Sequence, residues 1–516
     1  MRRRASIIPG AIAPVPGNSS VAAPRMSDVV SGAAGVLDPA FLNALEAVSS
    51  ADWSAWFGDL PSSRSGDAPQ RRVVATFPLP PSRGLAALCL LESRGRDGQT
   101  SCHQAALRFT TAAVPEATRV LRQVDPSDVP ALGAPPGSLV GAWSDPELCA
   151  WLREALSAGA SIRFGGWEWL AAPERPSVGT ATGGSARQIP GRRHDVVLFE
   201  PAAVAIVYSG LTRGGQPELD LLRHLERVPG VRVAPTLLGS AIIRSPEGQR
   251  TASAALEDLI PGAATVRSVI VGRLRRALDG DPSLQASALD DVRAVGVITR
   301  ELHGALGRPL EEGVVAGAEP ATVADVEGWV ARAWTTLAAA TVALRAAASG
   351  DASLNQALVG LPAKLQQFAA AAELAPGLVH RIHGNLRLDT VLMAPPRRLS
   401  VVEFDGDSFL PESERSAPQS PWRDVARLLV SLAEAAAEAA GLAGGDEKAF
   451  EIAWLWEREA RKACLEGYGS GGGALHALLA IGELEFASRH LLDAVARNSS
   501  TVVADHILKR LTRTIV

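Results

Sequence analysis

The sequence is poor in cysteine and in net charge, and it lacks long uninterrupted apolar runs. Its cysteines, Cys89, Cys102, Cys149 and Cys464, form no C-x-x-C pair, so neither a disulfide framework nor a cysteine zinc site is expected. A net charge of −4 gives no electrostatic reason to bind nucleic acid or an anionic membrane. No apolar run reaches the roughly 20 residues that span a bilayer. A reduced, cytoplasmic protein without nucleic-acid or membrane partners is expected.

The apolar content is that of a globular protein with several domains. Apolar residues make up 47% and charged residues 21% of the 516 residues, and this length predicts two to four domains or subdomains. We expect a disordered, proline-rich leader at 1–45, an N-terminal cap subdomain at 46–135, a β-rich lobe at 136–262 and a helical lobe at 263–516. The predicted class is therefore α+β with two lobes.

Local patterns predict strands in the first half and helices from Thr265 onward, apart from a short stretch at 392–404. The clearest helix is 147–158, because Asp145 can cap it, Pro146 suits its first position and Gly159 suits its end. A second helix is expected at 217–227, and 171–193 reads as a loop rich in Gly, Ser, Pro and Arg. Strands are predicted at 72–77, 85–92, 104–109, 162–170, 195–199, 203–208, 236–244 and 252–259.

Three short motifs carry the functional information. The first runs H-G-N-L-R-L-D-T-V-L from His383, the second E-F-D-G-D from Glu403, and the third S-P-W-R-D-V-A from Ser420. Glu403, Asp405 and Asp407 alternate, so on a strand all three would face the same side. Carboxylates on one face provide the hard oxygen ligands that Mg²⁺ prefers. Solvated acidic side chains at a strand edge are the alternative.

These motifs, in this order, resemble those of bacterial maltokinases, within the kinase-like fold shared with aminoglycoside phosphotransferases. That family has H-G-D-x-H-L-G-Q-V-L, then D-F-E-G-E-P, then S-P-L-R-D-V-A. The resemblance covers most of residues 50–515. It implies a two-lobed fold, with ATP and Mg²⁺ used to convert maltose to maltose 1-phosphate in trehalose and α-glucan metabolism.

The resemblance also assigns roles to residues of the catalytic loop, and it exposes departures from the family. The family's catalytic aspartate falls at Asn385, whose neutral amide cannot accept a proton at pH 7. The amide metal ligand falls at Thr390, and Glu403 and Asp405 take the second metal element. His383 is expected to hold the loop backbone, and the neighbouring Asp389 is the candidate replacement for the missing carboxylate.

The nucleotide side departs further from the family. By resemblance, Glu218 or Asp220 is the helix carboxylate that pairs with a strand lysine, and Glu257 and Ile260 lie at the hinge that holds the nucleotide. The lysine itself falls at Ile206, which carries no charge. Arginines on flanking loops are possible substitutes, or simply solvated charges: Arg187, Arg192, Arg193 and Arg213. Arg423 and Asp424, by contrast, are expected to brace the catalytic loop.

Three interpretations follow from these changes. A pseudokinase that binds a ligand or scaffolds a partner explains the residues at Ile206, Asn385 and Thr390 together. An active ATP-dependent sugar kinase would need Asp389 or Asp407 as its base and an arginine in place of the lysine. A purely structural protein would have no ligand site at all. Maltose or another small sugar, or an enzyme of trehalose or α-glucan metabolism, is the partner that the family's pathway implies.

Overall fold

The computed structural model describes most of the chain beyond residue 36. The described residues are 37–57, 70–82, 84–94, 100–116, 118–124, 136–175, 185–189, 194–212, 216–310, 315–347, 352–407, 409–469 and 473–514. Most of the predicted leader therefore lies outside them, as do Arg192, Arg193 and Arg213. Residues 37–45, which the sequence assigns to the leader, are described and hold most of the helix Pro39–Glu46.

The first part of the chain is a layer of two helices on an antiparallel sheet. The elements are α1 (Pro39–Glu46), α2 (Ser50–Trp56), β1 (Gln70–Pro78), β2 (Ala86–Arg94), β3 (Thr100–Thr110), β4 (Val120–Val124) and β5 (Gly137–Gly141). The sheet order is β1-β2-β3-β5-β4. Alternate residues of β2 enter different cores. Leu88 and Leu90 belong to the core shared with the rest of the molecule, whereas Cys89 and Leu91 pack in the cluster with α1 and α2.

The second sheet forms the wall of the β-rich lobe. Its strands and the helices beside them are α3 (Pro146–Ala158), β6 (Ala160–Phe164), β7 (Trp167–Pro173), β8 (Ala186–Ile189), β9 (Asp195–Phe199), β10 (Ala203–Val207), β11 (Gly210–Leu211), α4 (Pro217–Arg227), β12 (Leu237–Arg244) and β13 (Arg250–Asp258). The sheet order is β6-β7-β12-β13-β10-β9-β8, and β11 pairs with β3 of the first sheet.

The sequence signals for α3 work as expected. The Asp145 side chain accepts hydrogen bonds from the backbone N–H groups of Glu147 and Leu148, Pro146 occupies the first turn, and Gly159 follows the helix with φ +94°. The Asp145 carboxylate thus satisfies N–H groups of the first turn that would otherwise lack partners. One prediction fails in this lobe, because the segment predicted as a loop at 171–193 contains the strand β8, paired with β9.

Helices make up most of the remaining chain. The elements are β14 (Ala264–Thr265), α5 (Val266–Leu278), α6 (Ser283–Leu306), β15 (Glu319–Pro320), α7 (Val323–Ala346), α8 (Ala352–Leu374), β16 (Leu378–Val379), β17 (Val391–Ala394), β18 (Arg398–Val401), α9 (Glu412–Arg415), α10 (Pro421–Leu442), α11 (Glu447–Tyr468), α12 (Gly473–Ala496) and α13 (Val502–Arg513). Helix α10 is buried along most of its length and packs against α5, α11, α12 and α13. Within the described part of the chain, no helix is long and apolar enough to cross a membrane.

Helix α10 fixes the catalytic loop because its N-terminus lies beneath that loop. Ser420 caps the helix by accepting a hydrogen bond from the N–H of Trp422, and Pro421 lies in the first turn. Arg423 and Asp424 follow in the same turn and are both buried. The loop at 383–390 is therefore held against α10, where the Leu388 N–H also donates to the Ser431 hydroxyl at 3.1 Å, while the hairpin β17–β18 packs against α5 and α6.

Candidate functional site

The backbone of the catalytic loop is held by one buried carboxylate. Asp424 accepts hydrogen bonds from the N–H groups of His383 and Gly384, each at 2.8 Å, and lies 3.2 Å from His303 Nε2. Burial alone would raise the pKa of Asp424, but its hydrogen bond with His303 and the surrounding positive charges outweigh burial and lower that pKa. The charged carboxylate thus fixes the turn from which Asn385 projects.

Arg423 ties the same loop to the next acidic segment. One guanidinium nitrogen donates to the Gly384 carbonyl at 3.1 Å, and the other donates to Asp407 at 2.6 Å and to Glu485 at 3.0 Å. Arg489 also contacts both carboxylates. Burial alone would raise the pKa of Asp407, but the charges of Arg423 and Arg489 outweigh it and lower that pKa to about 2. Arg423 and Asp424 brace the loop, as the sequence predicts.

His383 uses both ring nitrogens to order the backbone. Nδ1 accepts a hydrogen bond from the N–H of Asn385 at 3.2 Å, and Nε2 lies 3.0 Å from the Val402 carbonyl. This arrangement requires the neutral ring with its proton on Nε2. Burial lowers the pKa of His383, which favours that neutral form. The side chain therefore connects the catalytic loop to the segment after β18, the role that the sequence assigned to it.

Asn385 itself lines the cleft between the lobes. Its side chain is half-buried. Asp389 lies instead beside two arginines, 3.7 Å from Arg267 and 3.8 Å from Arg387. It is not among the residues that line the cleft.

The three alternating carboxylates do not share a face, so that prediction is wrong. Strand β18 ends at Val401, and Glu403 has a φ of +66°, which is not an extended conformation and breaks the two-residue period. Glu403 points toward Arg387 at 3.9 Å, Asp405 toward His194 at 3.2 Å and Asp407 into the arginine pair. All three still line the cleft, but from different directions.

Thr390, the candidate amide replacement, already uses its hydroxyl in the local turn. Its Oγ1 accepts a hydrogen bond from the Arg387 N–H at 2.9 Å and donates to the Arg387 carbonyl at 3.0 Å. The side chain is fully buried. Within the residues that the structure describes, no group of three or more His, Cys, Asp or Glu side chains is arranged to hold a metal ion.

The wall built by the β-rich lobe is acidic and apolar. Val204 and Ile206 of β10 line the cleft. Glu257 of β13 pairs directly with Val204 and therefore shares its face of the sheet. Glu218 enters from α4, and Ile260 from the segment after β13. Among the described cleft-lining residues of this lobe there is no lysine or arginine.

Glu218 has a hydroxyl as its partner instead of a cation. The Tyr208 hydroxyl donates to Glu218 Oε2 at 2.7 Å, and the Phe404 N–H donates to Oε1 at 3.3 Å. Burial, reinforced by the nearby charge of Asp405, raises the pKa of Glu218 to about 8. Asp220, the alternative helix carboxylate, does not line the cleft. Burial raises the pKa of Asp220, whereas the charges of Arg381 and Arg223 oppose that rise.

His194 joins the two lobes across the cleft. Its Nδ1 accepts a hydrogen bond from the N–H of Ser209 at 3.2 Å, and its Nε2 lies 3.2 Å from Asp405 Oδ2. The ring also meets Tyr208 edge-on, with centroids 5.3 Å apart. Sequence analysis missed the roles of His194, Tyr208 and Arg489. Their partners are distant in sequence, and no short motif surrounds them.

A cavity of about 780 Å³ separates the lobes. The β-rich lobe forms one end of this cavity, and the helical lobe forms the other. The residues of the helical end include Phe409, Phe486, Arg489, His490 and Asp493. Phe409 is 48% exposed and carries the Arg489 guanidinium over its ring at 5.3 Å. An aromatic surface flanked by charged hydrogen-bonding groups suits a small polar ligand such as a sugar.

The described wall of the β-rich lobe does not fit the phosphates of a magnesium nucleotide of the kind that the resemblance implies. The arginines of the cavity lie on the helical lobe: Arg387, Arg427, Arg489 and Arg497. Phosphoryl transfer depends on cations that neutralise the phosphates and on oxygen ligands that hold Mg²⁺. Here the described wall of the β-rich lobe presents Glu218 and Glu257, and Glu257 Oε1 is buried without a hydrogen-bond partner in the described residues. The Thr390 hydroxyl and the Asp407 carboxylate are already occupied.

Comparison with known proteins identifies relatives over part of the chain. No protein-family model matches the sequence. A glucosamine kinase of Mycolicibacterium smegmatis is 27% identical over 245 residues, 47% of this chain and 57% of the relative. A glucosamine kinase of Streptacidiphilus jiangxiensis is 30% identical over 173 residues, 34% of this chain and 36% of the relative. The chain thus spans about half the length, or less, of the curated relatives it matches.

Solved structures show the fold over nearly the whole chain. A glucosamine kinase in complex with glucosamine, ADP and inorganic phosphate superposes with a TM-score of 0.58 at 20% identity, covering 94% of this chain and 98% of that one. A second crystal form of glucosamine kinase gives 0.62 at 20% identity, covering 95% and 100%. The chain has the two-lobed α+β fold of kinase-like phosphotransferases, which confirms the predicted fold class. Maltose as the ligand stays a prediction.

Proposed function

We propose that this chain is a sugar-binding pseudokinase, a protein that keeps the fold and cleft of a sugar kinase while its phosphoryl transfer is severely impaired. The observation that carries the proposal is Asn385, an amide at the cleft position where a proton acceptor is needed. General-base catalysis contributes about 10²–10⁴ to a rate. Its loss therefore predicts a heavy reduction in activity.

The other carboxylates of the cleft are poor substitutes for that base. Asp407 is bound by two arginines, which hold its pKa at about 2 although burial alone would raise it. A carboxylate of that pKa has little tendency to accept a proton near pH 7. Asp389 faces Arg267 and Arg387, outside the residues that line the cleft. The rewired active kinase would require one of these two residues.

The electrostatics of the nucleotide side support the same proposal. Glu218 and Glu257 lie on the wall of the β-rich lobe, near Asp405. Burial raises the pKa of both carboxyls, to about 8 for Glu218, so they favour the neutral form and supply no positive charge to a phosphate. Ile206 supplies no compensating charge, and Arg187 is paired with Glu200 at 3.7 Å on an exposed strand.

The sugar is proposed from the relatives and from the helical end of the cleft. The relatives are glucosamine kinases, so glucosamine is the first sugar to test. Maltose is the second, because the order of the sequence motifs resembles that of maltokinases. Phe409 and Asp493 lie where an aromatic ring and a carboxylate can contact a sugar.

An active ATP-dependent sugar kinase is the alternative. It is favoured by one specific observation, that a structure of the same fold contains glucosamine, ADP and inorganic phosphate. The test is an ADP-release assay of the purified chain with ATP, Mg²⁺ and either glucosamine or maltose. We expect release no faster than without sugar. Sugar-dependent ADP release by the wild-type chain would overturn the pseudokinase proposal and favour the active kinase.

If the chain acts as a scaffold, an enzyme of trehalose or α-glucan metabolism is the partner that the motif resemblance suggests. Size-exclusion chromatography of the purified chain with an enzyme that makes maltose or consumes maltose 1-phosphate tests this idea. A stable joint peak is expected. Separate elution of the two proteins would remove the scaffold role and leave sugar binding as the proposed function.

A further inference from the structure

Three buried carboxylates gather at the end of the cleft formed by the β-rich lobe. Glu218 is 2% exposed, Glu257 3% and Asp405 8%, and all three line the same cavity. Each comes from a different element: α4, β13 and the segment after β18. The charges of all three act on the buried Tyr208 hydroxyl, with that of Glu218 the strongest, so they surround one small region.

The hydrogen bonds of this cluster are incomplete. Glu218 accepts from the Tyr208 hydroxyl and the Phe404 N–H, and Asp405 faces His194. Glu257 Oε1 is buried with no hydrogen-bond partner among the described residues. A buried carboxylate oxygen without a donor costs free energy, and such orphaned groups point to a ligand that is missing. The ligand that satisfies it must donate hydrogen bonds.

The charge of the site further restricts that ligand. Burial raises the pKa of Glu257, and the charge of Glu218 raises it further. Glu218 is affected in the same way by burial and by Asp405. Without a ligand, burial therefore favours the protonated carboxyls. A positively charged donor favours their ionised form and pairs with the orphaned oxygen. The described residues contain no three-ligand arrangement for a metal. An ammonium group fits better, because it donates N–H hydrogen bonds and needs no metal coordination shell.

The walls next to the carboxylates are apolar. Val204 and Ile206 line the cavity from the β-rich lobe, and Leu392 and Val402 line it from the helical lobe. These side chains can pack against a carbon skeleton, which gains from leaving water. A cavity of about 780 Å³ has room for such a ligand in addition to a sugar at the other end.

From this geometry we propose that the end of the cleft beside Glu218, Glu257 and Asp405 binds a small primary amine. The ammonium group donates to the carboxylates, and the apolar body lies between the walls formed by Ile206 and Leu392. This inference rests on the proposed function, because a nucleotide bound at the same end would exclude the amine. No chemical step is involved, and binding alone is proposed.

The test uses three probes of similar shape on the full chain. They are 2-phenylethylamine, which is cationic, 2-phenylethanol, which is neutral, and 3-phenylpropionate, which is anionic. Isothermal titration calorimetry gives the Kd of each. We expect the amine to bind. The alcohol and the carboxylate should bind at least about tenfold more weakly, because neither brings a positive charge to the buried carboxyl groups. Phe409 and Asp493 at the other end of the cavity could also bind an aromatic amine, so the next variant decides which end binds it.

The variant Glu257→Gln locates the site. It keeps the shape of the side chain and removes the charge, and we expect the Kd for 2-phenylethylamine to rise roughly 30-fold or more. Glu373→Gln, on the exposed surface of α8, is the matched control and should leave the Kd unchanged. Unliganded Glu257→Gln should be about as stable as the wild-type chain, because burial already favours the neutral form of Glu257 and glutamine has the same shape.

Equal binding of the three probes, or no binding of the amine, overturns the amine site with the wild-type chain alone. An unchanged Kd in folded Glu257→Gln overturns its location. These results leave the pseudokinase proposal intact, since that proposal is decided by sugar-dependent ADP release. Conversely, ADP release would refute the pseudokinase whatever the amine titration gives.

Discussion

Asp407 is a buried carboxylate on which the order of the cleft depends. Replacing it by asparagine leaves Arg423 and Arg489 partly unpaired in the interior. We expect Asp407→Asn to lower the free energy of unfolding by about 3–5 kcal/mol, the usual cost of breaking a buried ion pair. Urea denaturation measures it. The control Asp290→Asn removes an exposed pair with Arg293 at 3.2 Å and should cost less than about 1 kcal/mol.

The same pair of proteins gives a pH prediction. The pKa of Asp407 is about 2 in the folded chain, because its two arginines outweigh the effect of burial, against an ordinary value of 3.8. A depressed pKa contributes stability that is fully present above the ordinary value and is lost as the pH falls through the folded value. The stability difference between wild type and Asp407→Asn should therefore shrink as the pH falls from 3.8 toward about 2. A difference that stays constant over this range would contradict the charged pair.

Residue roles were predictable only where a short motif carried them. His383, Arg423 and Asp424 belong to adjacent motifs, and the structure gives them the bracing roles expected from those motifs. The directions in which the Glu403, Asp405 and Asp407 side chains point were not predictable, because they depend on the positive φ of Glu403. The two-residue period holds only for extended backbone, and nothing in the local sequence marks Glu403 as a departure from it.

The turn at Gly384 is the element that brings the catalytic loop against the acidic segment. Its φ is +84°, and a Cβ there would lie 3.1 Å from Gly406 Cα. Gly384→Ala should therefore destabilise the chain in two ways, through backbone strain of roughly 1–2 kcal/mol and through the close approach of the two loops. Thermal unfolding followed by circular dichroism measures the loss.

Gly230→Ala provides the matched control for that turn. Gly230 has a φ of +79° and no atom within 4 Å of its virtual Cβ, so its alanine variant carries the strain without the clash. We expect Gly384→Ala to lower the melting temperature more than Gly230→Ala. Equal losses would mean that the two loops can separate without cost.

Elements with local signals were predicted well, and those defined by pairing were not. Helix α4 begins at Pro217 and ends at Arg227 as expected, since proline marks a first turn and the apolar spacing marks its length. Strand β8 escaped notice because Gly, Ser, Pro and Arg precede it and its apolar content is low. It exists through its pairing with β9, which no local pattern records.

At the scale of the whole molecule, two hydrophobic clusters meet on opposite faces of the first sheet. Phe41 of α1 belongs to the smaller cluster and Phe368 of α8 to the larger one, and both are fully buried. Each change to alanine should cost about 3–5 kcal/mol. Because the clusters are separate, Phe41→Ala should loosen the layer formed by α1 and α2, and Phe368→Ala should loosen the helical lobe.

Hydrogen exchange followed by mass spectrometry separates the two effects. Amides of residues 37–57 should exchange faster in Phe41→Ala, while amides of α10 keep their wild-type rates. Phe368→Ala serves as the size-matched comparison and should show faster exchange in α8 and its neighbours α7 and α12. Faster exchange throughout the chain in both variants would mean that the layers unfold as one unit.

The fold as a whole was predictable from motif order, whereas the state of the cleft was not. A β-rich lobe followed by a helical lobe matches the structure, and the loss of charge at Ile206 was visible in the sequence. The replacement network of His194, Tyr208 and Glu218 became visible only with the coordinates. That network underlies our proposal that the cleft does not bind phosphates.

The central claim is that the cleft keeps its shape and has lost its nucleotide site. The most direct measurement is a thermal shift titration with ATP and Mg²⁺, run on wild type and Asn385→Asp, with the Mycolicibacterium smegmatis glucosamine kinase as positive control. A ligand at 100 times its Kd adds about 2.7 kcal/mol of stability. We predict no rise in melting temperature for either form of this chain, because restoring one carboxylate supplies no charge for the phosphates. A magnesium-dependent rise in the wild-type chain would contradict the claim.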